Sequence, residues 1–209
     1  IGIVRKIRGI INFEVRMKGK GGHPGTVPMN LRRDSSLSAY EVCLKASRFV
    51  EQEYNDKATI TVGKMKLLPG SGNSIVQETV FSVDIRFSSQ DIGERIEQQV
   101  HRYLEEAARQ RGLSVEIKSF TRKPPCPLDE KMIDAVRQSC LDMGEACLLM
   151  DSGAGHDSMN FASICPTVMI FSQCAGGISH HVEEYVSEKA LEKVTEALIR
   201  TIIRLDKEI

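Results

Sequence analysis

The sequence has 209 residues, of which 41% are hydrophobic and 27% are charged, and its formal net charge is +0. This composition is typical of a soluble globular protein, and the balanced charge argues against nucleic acid or an anionic membrane as a partner. No apolar run approaches the roughly 20 residues of a membrane-spanning helix.

The start of the sequence and its cysteines bear on where the protein resides. Residues 1–8 contain no long apolar segment and no small-residue cleavage site, so we expect no signal peptide. They lack an initiator Met and have the pattern of mid-strand residues, so we expect the sequence to be a fragment. None of the six cysteines forms a C-x-x-C pair. We therefore expect reduced thiols in the cytoplasm, with Cys43, Cys140 and Cys165 buried as small apolar side chains.

Residues 10–122 have the pattern of a β-α-β-β-α-β unit, the order of a ferredoxin-like sandwich. Asp34 and Ser35 offer an N-cap for the first helix, and Gly112 is placed to end the second. The apolar positions that define the elements are, in chain order, Phe13, Val15 and Met17; Ala39, Val42, Cys43, Ala46 and Val50; Ile60 and Val62; Phe81, Val83, Ile85 and Phe87; Ile92, Ile96, Val100, Tyr103, Leu104 and Ala107; Val115 and Ile117. The fold class predicted is α/β.

A proline-rich joint at residues 123–127 marks a domain boundary, because proline stiffens the chain and disfavours helix. Residues 123–209 then predict helix, strand, loop, strand, loop and helix. The last helix carries an apolar stripe, which runs through Leu191, Val194, Leu198, Ile202 and Leu205. About 85 residues provide only a marginal core, so we expect these helices to need a larger sheet to pack on.

Two loops of the first domain carry residues suited to polar chemistry. His23 lies between glycines and prolines after the first strand, where its ring can donate a hydrogen bond to a polarised carbonyl oxygen. Arg86 lies on the polar face of the third strand and suits a carboxylate, and Asn73 on the preceding loop can orient a carbonyl. The alternatives are a polar turn at His23 and a surface arginine that pairs with Asp84 or a neighbouring residue.

Two further loops flank the apolar strand at residues 168–171. One runs from Asp151 to Asp157, and the other contains His180, which can bind a metal while Glu183 or Glu184 orients its ring. A single histidine is not a metal site, since catalytic zinc needs about three protein ligands. The alternative is a pair of ordinary polar loops.

Four motifs in this order resemble the metal-dependent amidohydrolases of the aminoacylase/carboxypeptidase clan. Within that clan they are most similar to N-carbamoyl-L-amino acid hydrolases, allantoate amidohydrolases and β-ureidopropionases. The motifs are Gly22-His23-Pro24-Gly25-Thr26-Val27-Pro28-Met29 followed by Arg33-Asp34, Asn73 with Phe81-Ser82-Val83-Asp84-Ile85-Arg86, Ser152-Gly153-Ala154-Gly155-His156-Asp157, and Gly176-Gly177-Ile178-Ser179-His180. The resemblance implies a lid domain at 10–122 that forms a homodimer. It also implies a zinc-peptidase-like catalytic domain, to which residues 1–9, with a hinge, and 123–209 belong.

The resemblance also implies a role for each candidate residue. His180 corresponds to a metal ligand, and His23 to the lid histidine that reaches the partner subunit's active site and stabilises the oxyanion. Asn73 helps to hold the substrate, Arg86 clamps its carboxylate, and the loop from Gly153 to His156 lines the substrate pocket. The implied cofactors are two divalent metal ions, Zn or Mn, with a bridging water activated by a glutamate.

The sequence departs from the family pattern mainly by what it lacks. Pro24, Val27 and His181-Val182 are mild changes, whereas the other metal ligands and the glutamate base are not found in these 209 residues. We therefore expect one half of an amidohydrolase that cleaves a linear, non-peptide C–N bond, inactive when alone. The alternative is a non-catalytic dimerisation or binding fragment. Allantoate, a carbamoyl amino acid and carbamoyl-β-alanine remain open as substrates.

Overall fold

The computed structural model, which describes residues 1–207, contains strands and helices that we number in chain order. They are β1 (Gly2–Ile7), β2 (Gly9–Lys18), α1 (Ser35–Tyr54), β3 (Ala58–Thr61), β4 (Met65–Leu68), β5 (Glu78–Phe87), α2 (Gln90–Arg111), β6 (Ser114–Lys123), β7 (Cys126–Pro127), α3 (Glu130–Asp142), β8 (Leu148–Ser152), α4 (Ser158–Phe161), β9 (Met169–Phe171) and α5 (Glu188–Asp206). The predicted α/β class is confirmed. Among the helices of residues 1–207, none combines the length and apolar character that crossing a membrane requires.

The chain divides into two units. The central unit is Gly9–Pro125, and the split unit combines residues 1–8 with the described residues from 126 onward. The central unit holds an antiparallel sheet of strand order β3-β5-β2-β6, in which β4 also pairs with β5. Its elements follow the predicted β-α-β-β-α-β order, with β4 as an additional short strand.

One face of the central sheet forms the core of its unit. Every second residue of β2 and of β5 is buried, as expected for strands whose side chains alternate between two faces. Helices α1 and α2 pack on that face and contribute Val42, Ile96 and Leu104, each at most 1% exposed. The opposite face carries the half-buried side chains of the same strands, most of which are polar.

The predicted ends of the two helices are found in the structure. Asp34 is the N-cap of α1, and its Oδ1 accepts a hydrogen bond from the main-chain N–H of Ser36 at 2.9 Å. Gly112 ends α2 with φ +62°, a left-handed conformation that glycine adopts without a steric penalty. These local signals fix where each helix starts or stops.

The split unit is built around β1. This strand pairs in parallel with β8 and antiparallel with β7 and β9, so the sheet is mixed. Its residues Ile3, Val4 and Ile7 are fully buried. Helix α3 packs on β1, and α5 packs on α3. The predicted order of helices and strands is found, with the two-residue strand β7 added before α3 and the short helix α4 added between β8 and β9.

Helix α5 exposes much of its apolar surface. Only Ala197 and Thr201 of this helix are buried. Five large apolar side chains are between 47% and 58% exposed, namely Leu191, Leu198, Ile199, Ile202 and Ile203. Such a contiguous apolar stripe is typical of a surface that packs against further protein. The observation agrees with the expectation that this helix needs a larger partner than residues 123–209 provide.

The contact between Phe87 and Gly93 sets how closely α2 approaches the central sheet. Phe87 is fully buried, and a Cβ added at Gly93 would lie 2.7 Å from three carbon atoms of its ring. Real Cβ atoms essentially never approach other heavy atoms this closely. A side chain at this position therefore requires the helix or the ring to move.

We expect Gly93→Ala to lower the free energy of unfolding by about 1–3 kcal/mol, because it overpacks a filled core. The measurement is chemical denaturation of the two proteins followed by circular dichroism. Gly63→Ala is the matched control, because a Cβ there has no neighbour within 4 Å. Equal stability of the Gly93→Ala variant and the unsubstituted chain would contradict the packing argument.

Candidate functional site

His23 lies in an exposed turn that follows β2. Its carbonyl oxygen accepts hydrogen bonds from the N–H groups of Thr26 and Val27, both at 3.3 Å. Its ring Nδ1 accepts one from the main-chain N–H of Gly25 at 3.1 Å. Because Nδ1 acts as the acceptor, the neutral ring carries its proton on Nε2. The side chain thus has one available N–H donor on its outer edge.

The structure brings the loops of His23 and Asn73 together. Gly22 forms a bridge with Ile75, whose N–H donates to the Gly22 carbonyl at 2.8 Å. Asn73 is exposed two residues before this bridge, and its Oδ1 accepts a hydrogen bond from Ser71 Oγ at 2.6 Å. With its oxygen occupied, the Asn73 side chain presents its NH₂ group as a donor.

Arg86 forms a two-pronged ion pair with Asp84. The Nε and Nη2 atoms of Arg86 donate to the two carboxylate oxygens at 2.6 and 3.1 Å. Asp84 also accepts a hydrogen bond from Asn12 Nδ2 at 3.2 Å. The alternative considered from the sequence, a pairing with Asp84, is therefore what the structure contains. Two of the five guanidinium N–H groups are used, and the side chain is 29% exposed.

Arg86 lies far from His23 and Asn73 within the central unit. It is near the C-terminal end of β5, whereas the bridged loops adjoin the strand's first residue, Glu78. At about 3.3 Å per residue, Glu78 and Arg86 are about 26 Å apart along the strand. The three candidate residues of this unit therefore form two separate sites at opposite ends of the sheet.

In the split unit, the loop after β8 contains Gly153 and His156. Ser152, the last residue of β8, donates its Oγ hydrogen to the carbonyl of Ala154 at 2.9 Å. His156 Nδ1 accepts the main-chain N–H of Ser158 at 3.0 Å and lies 2.7 Å from the Ser158 hydroxyl. Sequence reasoning missed Ser158, whose only signal was its position two residues after a histidine.

His180 is exposed and has a φ of +58°, an unfavourable conformation for a residue with a side chain. Here the structure differs from the expectation that Glu183 or Glu184 orients its ring. The Glu184 carboxylate accepts a hydrogen bond from the main-chain N–H of His180 at 2.8 Å, and the Glu183 N–H donates to Nδ1 of His181 at 3.3 Å. The carboxylate therefore holds the backbone of this loop.

A cavity of about 650 Å³ lies beside the loop that carries His180. Ser172, Ser179 and Glu184 contribute to its wall, together with apolar residues that include Phe171 and Ile178. The Oγ atom of Ser172 is buried without a hydrogen-bond partner among residues 1–207. The cavity thus combines an apolar lining with a few polar groups, as small-molecule sites do.

The described residues do not by themselves build a metal centre. Within residues 1–207, no three His, Cys, Asp or Glu side chains lie close enough to hold a metal ion together. His180 is thus a single candidate ligand, and a complete site needs donors from elsewhere.

The cysteines differ in accessibility. Cys140 is fully buried and Cys43 is half-buried, and burial raises the pKa of the Cys43 thiol to about 11. Cys165 is exposed, so the prediction that it is buried is wrong. It lies in the turn after α4, beside Ile164, which is 79% exposed. The apolar residues of this turn are therefore on the surface and do not belong to the core.

Comparison with known proteins identifies relatives along nearly the whole chain. Residues 5–204 match the model of peptidase family M20/M25/M40. The chain is 33% identical over 204 residues to the N-carbamoyl-L-amino-acid amidohydrolase of Pseudomonas sp. (strain NS671). This alignment covers 98% of this chain and 49% of that protein. It is 32% identical over 209 residues to the allantoate amidohydrolase of Bacillus subtilis (strain 168), with 98% and 50% covered.

A solved structure shares the fold. A hydantoinase/carbamoylase family amidase from Burkholderia multivorans matches with a TM-score of 0.89 and 27% identity, over 95% of this chain and 48% of that one. The chain spans about half the length of the curated relatives it matches.

We expect His180→Gly to be more stable than His180→Ala by about 1 kcal/mol, because only glycine adopts a positive φ without strain. The measurement is the free energy of unfolding of both variants from denaturant titration. The same pair of substitutions at Ser179, which has no positive φ, is the control and should favour alanine. If the His180 pair also favours alanine, the strain argument fails.

Proposed function

The chain belongs to peptidase family M20/M25/M40, and we propose that it forms the C-terminal part of a metal-dependent amidohydrolase. The reaction proposed is hydrolysis of a linear, non-peptide C–N bond in an N-carbamoyl amino acid or allantoate. The observation that carries this proposal is the similarity, over 98% of the chain, to two proteins named for those activities. The chain alone is expected to be inactive, because it spans about half of each relative.

His23 and Asn73 are suited to polarise the substrate carbonyl. The outward Nε2–H of His23 and the free NH₂ of Asn73 are hydrogen-bond donors on two bridged loops. Donors held in advance around a developing oxyanion stabilise it more than mobile water does. We therefore assign His23 to oxyanion stabilisation and Asn73 to orienting the same carbonyl group.

Arg86 is suited to bind the substrate carboxylate. Its partner Asp84 takes Nε and one Nη2 hydrogen, which leaves three N–H groups, including both on Nη1. Asp84, which itself accepts a hydrogen bond from Asn12, holds the guanidinium in a fixed orientation. An arginine fixed in this way recognises a carboxylate by direction as well as by charge.

The separation of His23 and Arg86 supports a homodimer formed by the central unit, acting as a lid. Glu78, which adjoins the bridged loops, and Arg86 are about 26 Å apart along one strand, so His23 and Arg86 of one subunit do not contact the same small substrate. If both serve catalysis, each subunit gives one of them to its own active site and the other to its partner's. We propose that His23 is the residue that crosses to the partner subunit.

The proposed cofactors are two divalent metal ions, Zn or Mn. His180 is the ligand this chain supplies, and the other donors belong to the part of the family's length that it does not span. A bound metal would lower the pKa of a coordinated water and polarise the carbonyl. The strained backbone of His180 supports a functional role, since such strain concentrates at functional sites.

Gly153 and His156 are proposed to line the substrate pocket, and the cytoplasmic location stays a prediction.

The alternative function is a non-catalytic dimerisation or binding module. The observation that favours it is that no three metal-binding side chains lie together within residues 1–207. The two functions differ in their expected activity, since only the amidohydrolase requires turnover by the intact protein.

We expect Arg86→Ala in the full-length enzyme to raise KM for carboxylate-bearing substrates by about 10- to 100-fold, because a charged hydrogen-bonded pair is lost. The measurement is steady-state kinetics with N-carbamoyl amino acids and allantoate. Arg122→Ala is the matched control, because Arg122 pairs with Glu97 of α2 on the other face of the sheet. An unchanged KM would remove the carboxylate-clamp assignment.

We expect His23→Ala and Arg86→Ala subunits, each with little activity alone at substrate concentrations far below KM, to recover activity when they are mixed. A mixed dimer has one active site with both residues intact and one with neither. With random pairing in an equal mixture, about half of the dimers are mixed, and each of these has one intact active site out of two. The mixture therefore regains about one quarter of the activity of the unsubstituted enzyme. The measurement is turnover after co-expression or refolding of the mixture. No recovery, in mixtures shown by mass to contain mixed dimers, would contradict the crossing of His23.

A further inference from the structure

The turn that carries His23 has weak internal support. The two main-chain bonds to the His23 carbonyl are 3.3 Å long, beyond the usual range for N–H···O bonds. The bond from the Gly25 N–H to the ring is 3.1 Å. The turn is also exposed, so burial contributes little to hold it. A ring in a turn of this kind needs another contact to keep one position.

Arg32 supplies that contact. Its Nε donates to the carbonyl of Val27 at 3.0 Å, and its Nη2 donates to the carbonyl of Pro24. Pro24 directly follows His23, and Val27 is the last of the four residues of the turn after His23, so the two carbonyls lie at its two ends. Arg32 itself is half-buried, and no ion pair among residues 1–207 involves it. The planar guanidinium thus spans the turn and joins its two ends.

We propose that Arg32 is a positioning residue for His23. By fixing the carbonyls of Pro24 and Val27, it keeps the His23 ring where its Nε2–H meets the substrate. The inference rests on the proposed function of His23, and it adds a residue that contacts neither the substrate nor the ring. Lysine cannot replace the fork, because its single ammonium group cannot hold two carbonyls with fixed geometry.

The neighbouring arginine provides a matched control. Arg33 is exposed, and its guanidinium lies against the backbone of Gly112 without a hydrogen bond among the described residues. Its main-chain carbonyl accepts the Lys20 N–H at 2.9 Å, a bond that a side-chain substitution retains. Arg33→Gln therefore removes the same charge from the adjacent position and leaves the turn intact.

The first experiment tests the contact in the 209-residue chain, without activity. We expect Arg32→Gln to accelerate amide hydrogen exchange of Gly25, Thr26 and Val27 by about tenfold or more, because their bonds to His23 open more often. Arg32→Lys should give an intermediate effect, and Arg33→Gln none. Exchange far from the turn should stay unchanged, which excludes general unfolding. Equal exchange of the turn in Arg32→Gln and the unsubstituted chain overturns the proposal.

The second experiment tests positioning in the full-length enzyme. We expect Arg32→Gln to lower kcat by about 10- to 100-fold with little change in KM, since small misplacements of a catalytic group have effects of this size. In the His23→Ala background, Arg32→Gln should cause no further loss, because Arg32 acts through His23. Independent losses in the double variant overturn the proposal. If His23→Ala alone keeps full turnover, the proposed function of His23 fails first, and the exchange result identifies Arg32 as a structural contact only.

Discussion

The ten-residue antiparallel pairing of β2 with β5 is the constraint on which the rest of the central unit depends. It runs without interruption from Gly9 opposite Phe87 to Lys18 opposite Glu78. A shift by one residue would turn every buried side chain of one strand toward the polar face, so the fully buried phenylalanines fix the register. The same pairing fixes which loops meet at each end of the sheet.

The position of each candidate residue follows from that register. The loops of His23 and Asn73 leave neighbouring strands at the same end, so the bridge between Gly22 and Ile75 extends a pairing that already exists. Arg86 lies at the other end, on the polar face, and meets Asp84 because residues two apart on a strand share a face. The separation of the two sites is therefore a property of the sheet itself and does not depend on loop conformations.

Sequence patterns predicted the elements whose apolar spacing is regular. The alternation from Phe81 to Phe87 and the cap at Asp34 were sufficient for β5 and the start of α1. Strand β4 (Met65–Leu68) was missed because its sequence, Met-Lys-Leu-Leu, does not alternate regularly and contains no β-branched residue. Arg32 was missed for a different reason. Its partners are main-chain carbonyls, which carry no sequence signal until the turn has formed.

Three of the five histidines make the same local hydrogen bond, which the sequence does not reveal. In His23, His156 and His181 the ring Nδ1 accepts the main-chain N–H of the residue two positions later. Because Nδ1 accepts this hydrogen bond, the outward Nε2 of each neutral ring is the nitrogen that carries the proton. His180 makes no such bond among residues 1–207. Its backbone is left-handed, and its main-chain N–H donates to the Glu184 carboxylate instead. A hydrogen-bond donor needs a fixed tautomer, which the bond from the Gly25 N–H supplies at His23. The tautomer of a metal-ligating histidine is likewise set by the hydrogen bond of its other ring nitrogen. The ring of His180 makes no such bond to another described residue, so its loop constrains only its backbone.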